Sequence, residues 1–152
     1  MYIKEVEDSK EKQQITRNIL ESLNEWFENV EGRENYIRES VELPLIAAYD
    51  EDKPVGFICL KETGKDTVEL HVMGVLKEYH RNGVGRELFL KAKEIAEQEG
   101  YSFMQVKTVQ MGRYEDYDRT NRFYLSVGFK EFEVFPDYWD ELNPCQIYVM
   151  AI

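Results

Sequence analysis

Two glycines, Gly83 and Gly85, stand where the hydrophobic pattern of this chain changes its period. Before them, from Thr67 to Val75, the residues alternate. Val68, Leu70 and Val72 fall on one face, and Glu69, His71 and Met73 on the other, which is the period of a half-buried strand. After them, Val84, Leu88, Ala92, Ile95 and Ala96 recur at helical spacing up to Glu99. Phe103 to Val109 then reads as a strand again. Strand, glycine turn, helix and second strand make a crossover unit, whose strands are parallel and whose connection is right-handed. An all-α bundle and an all-β sandwich are both excluded by it.

The flanking segments complete a mixed α/β chain in the order βααβββαβαββ. Its 152 residues suit a single domain, 1–152, and 43% hydrophobic content is ample for a core. Tyr2 to Val6 is the first strand. Asp8 and Glu11 resemble a capping box, and Ile15, Ile19, Leu23, Trp26 and Phe27 follow at helical spacing, so the first helix should end on Trp26 and Phe27. Gly32 punctuates, and Tyr36, Ile37 and Val41 suggest a short second helix before Pro44. Leu45 to Tyr49, Val55 to Leu60 and Thr67 to Val75 are separated by turn residues, as in an antiparallel meander. Asp118 to Val127 reads as a helix, with strands at Phe129 to Phe135 and Cys145 to Ala151.

Charge narrows the partners. With 19 basic and 30 acidic residues the chain carries −11, which repels nucleic-acid backbones and anionic lipid and favours the approach of cations. No nucleic-acid or membrane partner is expected. Cys59 and Cys145 lack metal-ligand spacing, so no metal and no disulfide framework are expected, and both thiols read as buried small hydrophobes. The N-terminus lacks an apolar signal segment, and no run approaches the ~20 residues of a membrane span. A soluble, cytoplasmic chain is the expectation.

Against that acidic background, Lys77 to Lys93 holds five basic and two acidic residues. Within it, His80-Arg81-Asn82-Gly83-Val84-Gly85-Arg86 links strand to helix. Bare backbone N–H groups and the positive end of a helix dipole there suit a pyrophosphate. The competing reading is a helix start with merely permissive glycines. Neither the Walker pattern nor the three-glycine dinucleotide fingerprint is present. Gly74 interrupts a good strand, as at a β-bulge or a close ligand approach. A bulge would splay this strand from its parallel neighbour, opening a cleft for an extended ligand with backbone-like amides. A pantetheine arm ending in a pyrophosphate-linked nucleotide has that form.

These residues resemble the GNAT superfamily of acyl-CoA-dependent N-acetyltransferases. His80 to Gly85 is similar to the family's Q/R-x-x-G-x-G/A loop, with His80 as the departure. Asp118 to Phe129 is similar to its N-x-x-A-x-x-F-Y-x-x-x-G-F element, with Asp118 and Thr120 as departures and Phe123-Tyr124 and Gly128-Phe129 matching. The resemblance implies acetyl-CoA as cosubstrate, held by Met73, Gly74 and Val75 along the pantetheine and by His80, Arg81, Asn82, Gly83, Val84, Gly85 and Arg86 around the pyrophosphate. It places Asn121 on the CoA side of its helix and Tyr124 beside the sulfur. A homodimer is compatible with it.

Acetyl transfer to an amine needs a base, because an ammonium has no lone pair, a donor for the oxyanion, and a proton for the departing thiolate. Glu69 is the expected base, with an ordinary exposed strand carboxylate as the bland reading. His71 is the rival base and is counted with the acceptor side. Tyr124 is the expected acid, against a plain core tyrosine. Trp26 and Phe27, with Tyr114, Tyr117, Tyr138 and Trp139 in loops among acidic residues, would hold a cationic amine, or else anchor loops on a solvated face. The expected function is direct transfer, in a ternary complex, to a small-molecule or peptidic amine. A non-catalytic acyl-CoA sensor and a protein-interaction domain with a merely structural loop are the alternatives.

Overall fold

In the computed structural model, which describes residues 1–152 throughout, seven strands and four helices follow in the expected order. They are β1 (Tyr2–Val6), α1 (Ser9–Ser22), α2 (Val30–Ser40), β2 (Leu45–Asp50), β3 (Lys53–Gly64), β4 (Thr67–Val75), α3 (Val84–Gln98), β5 (Phe103–Val109), α4 (Glu115–Ser126), β6 (Lys130–Asp140) and β7 (Asn143–Ala151). The strands hydrogen-bond in the order β1-β2-β3-β4-β5-β7-β6. β4 and β5 are parallel, as the crossover pattern requires. The chain divides into two compact units, Met1–Lys61 with His71–Ile95 and Glu62–Leu70 with Ala96–Ile152, so β4 contributes to both. No helix is long and apolar enough to cross a membrane.

In the first unit, β1 pairs antiparallel with β2 and β2 with β3. Asp8 caps α1 by accepting from Glu11 N–H at 2.9 Å, worth about 1 kcal/mol. The other half of the capping box is spent elsewhere, since the Glu11 carboxylate accepts from the Tyr49 hydroxyl at 2.6 Å. α1 buries Ile15, Ile19 and Leu20, and α3 buries Val84, Leu88 and Ala92. Phe57 of β3 meets the Ile19 and Leu23 side of Gly74, whereas neighbouring Gly56 meets Leu88 of α3. The two helices therefore cover opposite faces of the strands. Arg17 clamps α2 to α1 through two hydrogen bonds to Glu34, 2.8 and 3.0 Å.

In the second unit, β5 pairs with β7 from Phe103–Ala151 to Val109–Cys145, and β6 with β7. Met104, Val106, Phe129 and Tyr148 form its core.

Several boundaries differ from the sequence reading. α1 ends at Ser22, and Leu23 accepts from the N–H groups of Trp26 and Phe27 in a turn, so neither aromatic is helical. Gly32 lies inside α2, because Asn29 caps that helix by accepting from Gly32 N–H at 2.8 Å. α4 starts at Glu115, which puts Tyr117 on the helix, and β6 runs on to Asp140, which puts Tyr138 and Trp139 on a strand rather than in a loop. β6 is almost wholly exposed, so no inside-outside alternation marks its length.

Candidate active site

On the first unit's half of β4, His71 turns its ring toward α2. It meets Tyr36 edge-on at 5.2 Å, and its Nε2 lies 3.2 Å from a Glu39 carboxylate oxygen. Gly74, three residues on, instead faces Ile19 of α1 and Leu23, the residue that ends that helix. Residues an odd number apart on a regular strand point to opposite faces. Yet α1 and α2 cover the same face here. On β3, Phe57 and Lys61 share a face, the first beside Gly74 and the second 3.5 Å from Glu39. One residue of irregularity thus intervenes between His71 and Gly74, the bulge that the glycine suggested. Gly74 itself is required by packing, because a Cβ there would stand 2.9 Å from Ile19 Cγ2.

The chain then enters a 3₁₀ turn, Lys77–Tyr79. Leu76 N–H donates to Val55 at 2.9 Å, Tyr79 donates to Asp50 at 2.7 Å, and Lys77 pairs with Glu25. His80 Nε2 lies 2.7 Å from the Val75 carbonyl oxygen, and Trp26 meets the His80 ring edge-on at 6.0 Å. Arg81 and Gly83 adopt left-handed backbone, φ 67° and 79°. The position where a Gly83 Cβ would point has no atom within 4 Å, and the Gly83 carbonyl accepts the first α3 bond, from Glu87 N–H at 3.0 Å. Gly85 lies in the first helical turn rather than in the loop. The N–H groups of Val84, Gly85 and Arg86 have no intrahelical acceptor. An exposed backbone hollow flanked by the exposed Arg81 and Arg86 fits a pyrophosphate.

In the second unit, Thr67, Val68 and Glu69 of β4 stand against Phe103, Met104 and Gln105 of β5, and the register ends there. Glu69 is not the exposed carboxylate of the bland reading. It is 6% exposed and ion-paired to Lys107. Burial is the largest single influence and works against the Lys107 charge, but the hydrogen bond to Glu69 and the attraction of that carboxylate's charge act together with smaller contributions to leave the ammonium's pKa raised. The Lys107 ammonium also lies 5.6 Å from the centre of the Tyr138 ring. Sequence reasoning missed Lys107, although it is the one charge in a strand-like run on the face opposite Val106. Burial pushes Cys145 up to about 11, and in the first unit Cys59 up to about 12. Both thiols are inert, buried groups, as expected of small core hydrophobes.

Tyr124 lies on α4 among Phe123, Phe129 and Tyr148, with ring centres 5.7 to 6.3 Å away. Asn121, expected to face the cofactor, is 0% exposed. Its amide donates to the Val109 and Tyr117 carbonyls at 2.9 and 2.7 Å and accepts from Tyr148 at 2.6 Å. It ties α4 to β5 and β7 and has no surface with which to touch a ligand. Tyr114 and Tyr117 meet edge-on at the start of α4, and Tyr138 and Trp139 do so on β6. A cavity of about 460 Å³ beneath α1, lined in part by Glu11, Ile15, Tyr49 and Pro54, contains none of the catalytic, cofactor or acceptor residues expected from sequence. No group of three His, Cys, Asp or Glu side chains is arranged to hold a metal.

Residues 13–129 match the model of the acetyltransferase (GNAT) family. Among solved structures, a putative GNAT-family acetyltransferase from Desulfovibrio desulfuricans superposes with TM-score 0.83 at 18% identity, over 99% of this chain and 98% of that one. An aminoglycoside 6'-N-acetyltransferase complexed with coenzyme A gives 0.80 at 19% identity, over 99% and 97%. The PaiA N-acetyltransferase from Thermoplasma acidophilum, also in complex with coenzyme A, gives 0.74 at 19% identity over the whole of both chains. At such identities the likeness is one of fold. No curated protein matches the sequence.

Proposed function

The chain belongs to the GNAT acetyltransferase family, and from that premise we propose that it moves the acetyl group of acetyl-CoA directly to a primary amine of a small molecule or peptide, in a ternary complex in the cytoplasm. The family match runs across both compact units, which supports reading residues 1–152 as one domain.

The observation that carries this reading is the loop of His80 to Gly83. Two left-handed residues turn the backbone into the start of α3, no side chain fills the hollow at Gly83, and two exposed arginines flank it in an otherwise acidic chain. A pyrophosphate is the ligand that such donors suit. In this reading the edge of β4 at Met73 and Val75 takes the pantetheine amides. The clamp of His80 on the Val75 carbonyl holds the backbone at this point, and the Val75 N–H, one peptide earlier, is read as the donor that faces the thioester oxygen. A fixed donor of this kind is worth roughly 3 kcal/mol in an acyl-transfer transition state.

Bound acetyl-CoA supplies an activated carbonyl, and the chain's own residues must supply a neutral amine and a proton for the departing thiolate. Tyr124 is assigned the second task. The acceptor's proton leaves along the β4 face that carries Glu69 and His71. Trp26 and Phe27 in the turn after α1, and Tyr138 and Trp139 on β6, are read as aromatic surfaces for a cationic acceptor. Solved relatives named as aminoglycoside acetyltransferases favour a small polyamine-like acceptor.

The test is a thermal shift with acetyl-CoA followed by CoA release against a panel of amines. Stabilisation by acetyl-CoA and amine-dependent release are expected, with kcat reduced in Tyr124→Phe. Absence of any shift would sink the reading, as would ping-pong kinetics. Binding without turnover on any amine would leave the non-catalytic sensor.

A further inference from the structure

Building on that acetyl-transfer reading, we propose that His71 is the general base and that Glu39 is the positioning residue that holds its ring. β4 offers two proton acceptors, and they differ in what each proton would do. Glu69 is buried against the Lys107 ammonium. A proton on that carboxylate destroys an ion pair and leaves Lys107 uncompensated in a poorly solvated place. A proton on His71 does the reverse, creating an ion pair with Glu39 at 3.2 Å. The same Glu39 oxygen lies 3.5 Å from Lys61 Nζ on β3, so the carboxylate is anchored before the imidazole gains charge.

The placement is built by the sequence of α2. Tyr36 and Glu39 are three residues apart, hence neighbours on one helix face. Together they bracket the ring, Tyr36 by an edge contact and Glu39 by its carboxylate. Ionisable groups around His71 include Glu39 and Tyr36 from α2 and, through Glu39, Lys61 from β3, while Glu69 is placed two residues back on the same strand. The side chain of His71 keeps 13% of its surface exposed while Nε2 is buried toward Glu39, so the proton exchanged with the acceptor is assigned to Nδ1. In the reaction the acceptor ammonium gives one proton to the imidazole. The freed lone pair then attacks the thioester carbon, the C–N bond forms and the C–S bond breaks. The thiolate takes the Tyr124 hydroxyl proton, Tyr124 recovers one of the two protons left on the nitrogen while the amide keeps the other, and the imidazolium passes its own to water.

The experiment compares His71→Gln, Glu39→Gln and the double variant with the native chain. Acetyl-CoA is saturating, and an aminoglycoside, spermidine and a short peptide with a free N-terminus serve as acceptors. His71→Gln should lower kcat about 100-fold and Glu39→Gln about 10-fold. The double variant should fall no further than His71→Gln, because the two act as a unit. The KM for acetyl-CoA and its thermal shift should stay native, which separates loss of chemistry from loss of fold. The acid-side fall of kcat should vanish in His71→Gln, and added imidazole should restore part of the turnover of His71→Ala. Retained turnover in His71→Gln, or strictly additive losses, overturns this proposal while leaving acetyl transfer intact. Acetyl-CoA binding with no turnover on any amine overturns both.

Discussion

Replacing Gly74 with alanine adds one methyl group at the tightest point between β4 and α1. That carbon would stand 2.9 Å from Ile19 Cγ2, 3.1 Å from Leu23 Cδ1 and 3.4 Å from Phe57 Cε1. Carbon pairs rest at about 3.5–4.0 Å, so two of the three contacts are too short by roughly half an ångström or more. Ile19 and Leu23 are 1% and 3% exposed and cannot swing into solvent. Overpacking of this kind costs about 1–3 kcal/mol. Alanine recovers about 0.4–1 kcal/mol by stiffening the unfolded chain, leaving a net loss of about 1–2 kcal/mol. For a chain of this length that is a fall in Tm of roughly 4 °C. Urea unfolding gives the free energy directly. Ile19→Ala alone should cost about 2–5 kcal/mol, but the alanine methyl at 74 partly fills the space it leaves. The double variant should therefore lose less than the sum of the singles by about 1 kcal/mol. A neutral or stabilising Gly74→Ala, or exact additivity, would refute the view that α1 packing demands this glycine.

The loop offers a reciprocal pair. Arg81→Gly relieves a left-handed arginine and should raise stability by about 0.5–1 kcal/mol while weakening acetyl-CoA binding, whereas Gly83→Ala should cost about 1 kcal/mol despite the open space around it; thermal melts with and without acetyl-CoA read both effects. Asn121→Ala removes the acceptor of the Tyr148 hydroxyl and the side-chain donor to the Val109 and Tyr117 carbonyls and should cost about 2–3 kcal/mol in urea unfolding. The Glu34 carboxyl is held below its ordinary pKa, chiefly by its hydrogen bond to Arg17. A group depressed on folding stabilises fully above its unfolded pKa and loses that contribution as pH falls through the folded value. Native stability should therefore approach that of Glu34→Gln as pH drops from about 6 to about 3, and a constant gap across that range would contradict the pair's role.

Local chemistry is what made most of the fold legible. The change of period around Gly83 and Gly85 announced a strand, a turn and a helix, because a side chain's face is set by neighbours two to four residues away. The same locality exposed Asp8 as a cap and drew attention to the basic stretch around the loop. Where a segment's face carries no contrast, the pattern fell silent. β6 is exposed along nearly all its length and reads as half strand and half loop. The cap of α2 was hidden for a different reason, since Gly32 in its first turn resembles a break.

What the chain's order determined by itself was the crossover unit, the βααβββαβαββ succession and the backbone hollow before α3, all products of short-range spacing. What only the folded structure decided was company. Lys107 reaches Glu69 across 38 residues of sequence, Glu39 is brought from α2 to His71 on β4, and Asn121 is sealed beneath Tyr148. Each of these depends on strand register and helix docking, and the free energy behind them comes from burial summed over the core, which no single stretch of sequence contains.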